Sequence, residues 1–428
     1  MQKKKLVLVT DGWPYGKGEK PFIEPELMCL LDWFEIVVVS TANESMSKIK
    51  EDESEVPDGV RVVRMPAPSK KSLITALPSL LTSQLGRNAL WGDLSGGAGK
   101  LARIKTTLGY WGRAKSFEKQ FKNVGLANWA DVIYGFWLNY YALAFVLERS
   151  ELKQGENDPF LCCRAHGYDL YNERRAGGRQ PFHDVLGSGL DEIFFVSDEG
   201  KSYFERNFTK PDKKRAALVT SYLGVHPQVS APIIDKHEFT GTLAIVSCSS
   251  VIPLKRVNLI AEGIAASGIK DCRWVHFGDG PSLSEVKAIA DGFGIKTEFM
   301  GYRSNSEVLS WLSKGAADVF ITTSSTEGLP VSVQEALYFG LPVIATDVGG
   351  MAELFEGNGV LLNANPTPAE VGEALKLILS ALKSNSWKLM ARSSRSLWEQ
   401  RFDSEVIGPK FAQQLAEETR RHDDREFG

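Results

Sequence analysis

Two doubly wound parallel-sheet domains of the α/β class, facing each other across a cleft, are what this 428-residue sequence predicts. Three observations predict them. Short β-branched runs alternate with longer helical patterns along most of the chain. Several of these runs are near-continuously apolar, the pattern of strands covered by helices on both faces. A proline-bearing, aperiodic break at His226–Lys236 leaves enough chain on either side for a separate sheet.

In the first half the expected strands are Leu6–Thr10, Glu35–Ser40, Val60–Arg64, Asp131–Tyr134, Phe160–Arg164, Glu192–Val196 and Ala217–Ser221. The second half supplies Leu243–Cys248, Arg273–Phe277, Thr297–Met300, Val319–Thr322, Val343–Ala345 and Val360–Leu362. After Leu362 the pattern is helical to about Glu418 and ends in a charged tail. The expected division is 1–228, 229–392 and a carboxyl-terminal helical segment, 393–428, packing back toward the first domain. No repeat of fixed period is present, which excludes a solenoid.

Apolar residues make up 43% and charged residues 24%, which excludes extended disorder, collagen and coiled coil. A net charge of -3 gives no sign of a nucleic-acid partner. The cysteines, Cys29, Cys162, Cys163, Cys248 and Cys272, are odd in number and lack CxxC spacing, as expected of buried thiols in a reducing compartment. Behind Lys3-Lys4-Lys5 the apolar run is only Leu6–Val9, too short for a signal sequence, so it reads as a first strand. No run approaches the ~20 apolar residues of a membrane span. The expected location is cytoplasmic, at most peripheral at the inner face of the cell membrane.

Residues 66–123 stand apart, with ten Lys or Arg against Asp93 and Glu118 alone. Leu73, Ile74, Leu77, Leu80, Leu81, Trp91, Leu108, Tyr110 and Trp111 are interleaved with them. Such a basic amphipathic insertion fits an anionic bilayer surface, or a solvated helical cover on the first sheet.

No GxGxxG follows an expected strand, and no His/Cys cluster has metal-ligand spacing. The sequence Gly96-Gly97-Ala98-Gly99-Lys100 is not a phosphate loop, because Leu94 and Leu101 stand where Gly and Ser/Thr belong. The richest stretch is Thr322–Glu353, in which Glu327-Gly328-Leu329-Pro330 leads into a helix of about Val331–Phe339. Pro330 suits its first turn and Gly340 the cap beyond its end. Glu335 follows Glu327 by eight residues, slightly over two turns, so both carboxylates fit one side of a cleft. A helix carboxylate suits the paired hydroxyls of a ribose, and the free amides of Gly328 and Leu329 suit sugar or phosphate oxygens. After the strand ending at Cys248, Lys255-Arg256 enters a helix; cations are disfavoured at a helix start, so the pair points to an anion. The turns at Gly278 and at Tyr302-Arg303 are further candidate ligand walls. In the first half, Gly16 lies in a glycine-bearing loop after strand one, and His166 ends a strand beside Gly167 and Asp169.

Together these segments resemble the retaining GT-B glycosyltransferases of family four, which build bacterial surface polysaccharides and glycolipids. The likeness is densest at SCSSVIPLKRVNLI, VHFGDGP and EGLPVSVQEA, where Glu327 and Glu335 match the family's E-x7-E motif. DGWPYGKGEKPFIEPEL and RAHGYDLYNERR are similar to a polysaccharide-associated subgroup. The resemblance implies two Rossmann-like domains, with 1–228 on the acceptor side and 229–392 binding a nucleotide sugar. It implies that Glu335 binds the donor ribose, while Glu327 with the Gly328 and Leu329 amides holds the donor sugar. Lys255 and Arg256 would neutralise the leaving diphosphate, and His166 would contact the transferred sugar. Gly16 would lie near the phosphates, Gly278 would border the donor, and Tyr302 and Arg303 the nucleobase. No cofactor or metal is implied; the partners are a nucleotide sugar donor and a saccharide or lipid-linked saccharide acceptor. The family's arginine five residues before the lysine is Ser250 here. A nucleotide-sugar epimerase, or a non-catalytic sugar-nucleotide-binding subunit of this fold, is the alternative.

Overall fold

A computed structural model describes residues 3–15, 19–42, 56–65, 68, 76–95, 99–152, 157–209, 215–384 and 386–426. The chain forms two compact units, 1–221 with 408–428, and 222–407. The sequence expectation put these junctions at 228/229 and 392/393. The later carboxyl-terminal junction has a packing cause, because helix Trp387–Arg401 is tied to the second unit. The Trp387 and Trp398 indoles donate to the carbonyls of Asp318 (2.7 Å) and Val225 (3.0 Å), and the Ser394 hydroxyl donates to that of Leu341 (2.7 Å). Further along, Phe411 of helix Ser404–Glu426 packs tilted against Tyr134 and edge-on against Phe194 in the first unit, with centroids 5.6 and 5.0 Å apart.

The first unit holds a seven-stranded sheet in the order β3-β2-β1-β4-β5-β6-β7. Its strands are β1 (Lys4–Thr10), β2 (Phe34–Ser40), β3 (Val60–Arg64), β4 (Val132–Gly135), β5 (Phe160–Ala165), β6 (Glu192–Phe195) and β7 (Ala217–Thr220). Every pairing is parallel. Parallel strands carry helices on both faces, so even a charged strand residue must be satisfied inside. Arg164 of β5 shows how: its guanidinium donates to Glu26 (2.6 Å), the Tyr134 hydroxyl (2.8 Å) and the Ser221 carbonyl (2.7 Å).

The basic insertion forms helices Leu77–Thr82, Gln84–Ser95 and Lys100–Val124. The last of these covers the sheet, burying Tyr110, Trp111, Ala114, Phe117 and Phe121 in the core. Its two acids are paired: Asp93 with Arg179 outside the insertion (2.7 Å), and Glu118 with Lys115 (2.6 Å) and Lys122 (3.0 Å) within it. Yet Leu81, Trp91, Leu94 and Leu101 stay exposed, so the insertion covers the sheet and also presents an apolar, cationic outer surface. Lys70, Lys71, Leu73 and Ile74 of this segment, and Gly16, lie outside the described residues.

The second unit is a six-stranded parallel sheet in the order β10-β9-β8-β11-β12-β13. Its strands are β8 (Leu243–Cys248), β9 (Cys272–Phe277), β10 (Thr297–Gly301), β11 (Val319–Thr322), β12 (Val343–Thr346) and β13 (Gly359–Leu362). In each sheet the strand order reverses once, between β1 and β4 and between β8 and β11. Ligands of doubly wound sheets bind beyond the strand ends at that reversal. No helix among the described residues is long and apolar enough to cross a membrane.

Candidate functional site

The loops leaving β8 and β11 in the second unit are bound to each other. Ser325 donates through its amide (2.8 Å) and its hydroxyl (3.1 Å) to the Leu254 carbonyl. The Thr323 hydroxyl reaches the Arg256 carbonyl at 2.9 Å, and the Thr346 hydroxyl reaches that of Ser324 at 2.5 Å. Arg256 has a left-handed backbone, φ 46°, which a non-glycine residue adopts at a cost. Its guanidinium offsets that cost by donating to the carbonyls of Thr323 (2.6 Å), Ser324 (2.8 Å) and Ala364 (2.8 Å). The Arg256 side chain therefore clamps three loop carbonyls.

This lacing brings Lys255 to Glu327. The ammonium donates to the Glu327 Oε1 at 2.5 Å, and the carboxylate is almost fully buried. Glu335 lies in helix Val331–Tyr338, which starts after an extended Pro330 and is closed by Gly340 at φ 69°. The Asn305 side-chain amide donates to its Oε1 at 2.6 Å. Burial pushes the Glu335 carboxyl up to about 7, against the lowering effect of Asn305. The Cys248 thiol at the end of β8 feels both ends of this cluster: burial and then the Glu335 charge push it up to about 12, while Lys255 opposes them. The Lys255–Glu327 pair thus lies beyond the strand ends at the β8/β11 reversal, and Cys248 at the end of β8 lies within the field of both Lys255 and Glu335.

The flanking positions divide into two kinds. A Cβ on Gly278, whose φ is 140°, would lie 1.8 Å from the Ser249 carbonyl oxygen, so close packing of the 249–251 loop requires this glycine. The Gly278 amide also donates to Gly301 at 2.9 Å. Gly328 accepts from the Gly350 amide at 2.8 Å, and Leu329 is buried beside it. In contrast, Tyr302 is 73% exposed and Arg303 is exposed next to it, free to meet a ligand. The position where the family arginine would stand, Ser250, is exposed on the β8 loop.

In the first unit, His166 follows β5. Its ring packs on Trp137 (centroids 4.2 Å apart), and its two ring nitrogens are buried without a hydrogen-bond partner. Asp169 lies 3.7 Å from Nδ1 and accepts the amides of His166 and Leu138, each at 2.7 Å. Burial works to raise the Asp169 carboxyl, but the His166 ring and these amides hold it below the ordinary carboxylate range. The loop after β1 is shaped by Glu19, which accepts the amides of Gly12 (2.6 Å) and Trp13 (2.9 Å) and the Trp137 indole (2.5 Å). Asp11, accepting from Asn139 at 2.9 Å, is pushed up to about 7 by desolvation and then by the Glu19 charge.

Asn305 and Asn139 escaped the sequence reading. Asn139 had a local signal, as the residue just before a helical pattern, and it caps helix Tyr140–Arg149 by accepting from the Tyr141 amide. Asn305 had none, because its partner is 30 residues away. Among the described residues, no group of three or more His, Cys, Asp or Glu is placed to hold a metal ion.

Residues 232–393 match the model of glycosyl transferases group 1. A Vi polysaccharide biosynthesis protein, VipC/TviE, of Salmonella typhi is 31% identical over 153 residues, 35% of this chain; the match spans about a quarter (26%) of that relative's length. Sucrose-phosphate synthase from Thermosynechococcus elongatus superimposes with a TM-score of 0.70 at 15% identity, covering 97% of this chain and 99% of that one. Anabaena Alr3699/HepE in complex with UDP-glucose does so with a TM-score of 0.61 at 15% identity, over 97% and 100% of the two chains. Residues 232–393 thus match a group 1 glycosyltransferase domain, in a chain that shares the GT-B fold of these structural neighbours.

Proposed function

We propose that this protein is a retaining glycosyltransferase of family four. It moves a hexose-type sugar from a nucleoside diphosphate sugar to a hydroxyl of a saccharide acceptor, lipid-linked, in bacterial polysaccharide or glycolipid synthesis. The observation that carries the reading is the meeting of Lys255 with Glu327, with Cys248 in the field of both Lys255 and the buried Glu335. When the anomeric C–O bond breaks, its electron pair leaves with the diphosphate, and a fixed cation there lowers the barrier. Lys255 supplies that cation, Glu327 receives hydroxyls of the donor sugar, and Glu335 accepts from the ribose. The Gly328 and Leu329 amides face the donor, Tyr302 and Arg303 border the base, and Arg256 and Gly278 hold the loops that form the pocket. His166, whose Nδ1 faces Asp169, is assigned the contact to the transferred sugar, and Gly16 a place near the phosphates. No divalent ion takes part, so turnover should persist in EDTA. The polysaccharide role of the Salmonella relative and the UDP-glucose bound by HepE support the reading.

The exposed apolar and cationic surface of 76–95 and 99–124 supports peripheral attachment to an anionic membrane on the cytoplasmic side. Salt-sensitive flotation with anionic vesicles tests this attachment. For the chemistry, the test is a thermal-shift panel of nucleotide sugars followed by release of nucleoside diphosphate in wild type and Glu327→Gln. Stabilisation by one donor, with release lost in the variant, is expected. Full turnover by Glu327→Gln would refute the assignment.

A further inference from the structure

A cavity of about 610 Å³ lies at the amino-terminal end of the second unit's sheet. That is within the ~300–1,000 Å³ of small-molecule sites. Three strands bring residues to it: Ala244 at the start of β8, Arg273 of β9 and Asp318 just before β11. Lys255 and Glu327 follow the other ends of β8 and β11, and neither lines this cavity. The six residues of β8 alone separate the two ends by roughly 17 Å.

The walls are held in place. The Arg273 guanidinium donates to the Ala316 carbonyl at 2.6 Å, which ties the turn carrying Lys314 to β9. Gly315 in that turn has φ 65°, and a Cβ there would already touch Pro232 at 3.4 Å. The short helical turn Ile234–Lys236 leads into His237, whose ring stacks on Trp387 with centroids 4.0 Å apart. Lys236, Arg273 and Lys314 all line the cavity, and among the described residues none of them is in a salt bridge. Of the two acids that line it, Asp318 is engaged: it accepts the Ala244 amide at 2.7 Å and lies 2.9 Å from the His237 Nε2. Glu238 is exposed. The rest of the lining is largely apolar, with Ile233, Leu312 and Leu341.

Like charges gathered on one cavity favour an anion inside it. A phosphate monoester carries about −1.5 to −2 charges near neutral pH and three acceptor oxygens. Those oxygens match two ammonium groups and the guanidinium N–H groups that Ala316 leaves over, which a singly charged carboxylate does less fully. The aliphatic wall favours an apolar body, and it would leave the hydroxyls of a bare sugar phosphate without partners.

We propose that this cavity is a second anion site, taking a small phosphate monoester with an apolar body. The phosphate meets Lys236, Arg273 and Lys314, and the body lies against Ile233, Leu312 and Leu341. The site is separate from the loops assigned to the nucleotide sugar and does not depend on the glycosyltransferase reading. The test is calorimetric titration of the full chain with naphthyl phosphate as probe. Inorganic phosphate is the arm lacking a body, and naphthol the arm lacking charge. Wild type binds the probe about tenfold or more tightly than either arm. Lys314→Glu and Ile233→Asp stand at exposed positions, where substitution leaves the fold intact. Each weakens the probe about tenfold or more, the loss expected for one charge-assisted hydrogen bond. Lys255→Ala leaves the probe's affinity unchanged. Probe binding that is absent in wild type, equal in either cavity variant, lost in Lys255→Ala, or matched by inorganic phosphate would overturn the proposal.

Discussion

The two strand-order reversals are built on opposite principles. At β8/β11 the polar groups are already paired: Lys255 on Glu327, Glu335 on Asn305, and Arg256 on three carbonyls. At β1/β4 Asp11 and Asn139 are paired as well, but the volume they face is lined by Leu77, Leu101, Ile104 and Leu108 together with Lys105, Arg113 and Arg175. The first arrangement fixes charge before a ligand arrives, which is what stabilising a leaving anion requires. The second fixes shape.

The strongest way to break this contrast is Lys255→Ala. If Lys255 neutralises the departing diphosphate, kcat falls about 10²–10³-fold, as for loss of one fixed electrostatic group. A fall confined to KM, with kcat kept, would show that the ammonium only binds the ground state. Next in size is Gly278→Ala, where the contact is with backbone and cannot be relieved by a side-chain turn. The expected loss is about 2–4 kcal/mol of stability, from strain and overpacking, read by chemical denaturation. An unchanged midpoint would mean that the β9 turn is held more loosely than the loop it touches.

How far these sites could be read in the sequence follows the same division. All the strands were visible, with ends within two residues, because two-sided burial writes parallel strands as apolar runs such as Val37-Val38-Val39. Helix Val331–Tyr338 was visible from Pro330 and Gly340. The Lys255–Glu327 meeting could be inferred only through family likeness, because 72 residues separate the partners. Arg256 read as an anion ligand because cations at a helix start suggest one; its left-handed backbone and carbonyl partners are set by tertiary contacts. The volume at β1/β4 left no mark at all. In sequence 66–123 reads as a basic amphipathic segment, but the space at Gly109, where a Cβ would meet no described atom within 4 Å, depends on which neighbours reach it.

Glu335→Gln sharpens the contrast by exposing the cost of the prepaired site. The carboxyl's folded value, about 7, lies above its ordinary 4.5, so the folded state holds the proton more tightly. That stabilisation is present below pH 4.5 and disappears as pH rises through 7. At pH 8 the buried charge costs about 3 kcal/mol. The glutamine variant should melt about 3 °C or more higher than wild type at pH 8, with no gain at pH 4.5. Its donor KM should rise about tenfold, because the carboxylate is the better acceptor. Wild-type donor binding should tighten as pH climbs through 7. Parallel melting curves for the two proteins across this range would place the titration elsewhere.

The smallest effect belongs to Tyr302→Ala. The ring is 73% exposed, so its removal leaves the melting temperature unchanged. A ring that stacks on a base contributes about 1–3 kcal/mol, but the exposed position puts Tyr302 at the low end. The expected change is therefore about a fivefold rise in donor KM at constant kcat, measured for the preferred nucleotide sugar. Because the contact would be to the base alone, a sugar phosphate lacking the nucleoside should inhibit both proteins equally. Unequal inhibition would move Tyr302 from the base to the sugar side of the donor, and the exposed loop after β10 would join the group of residues that read the transferred sugar.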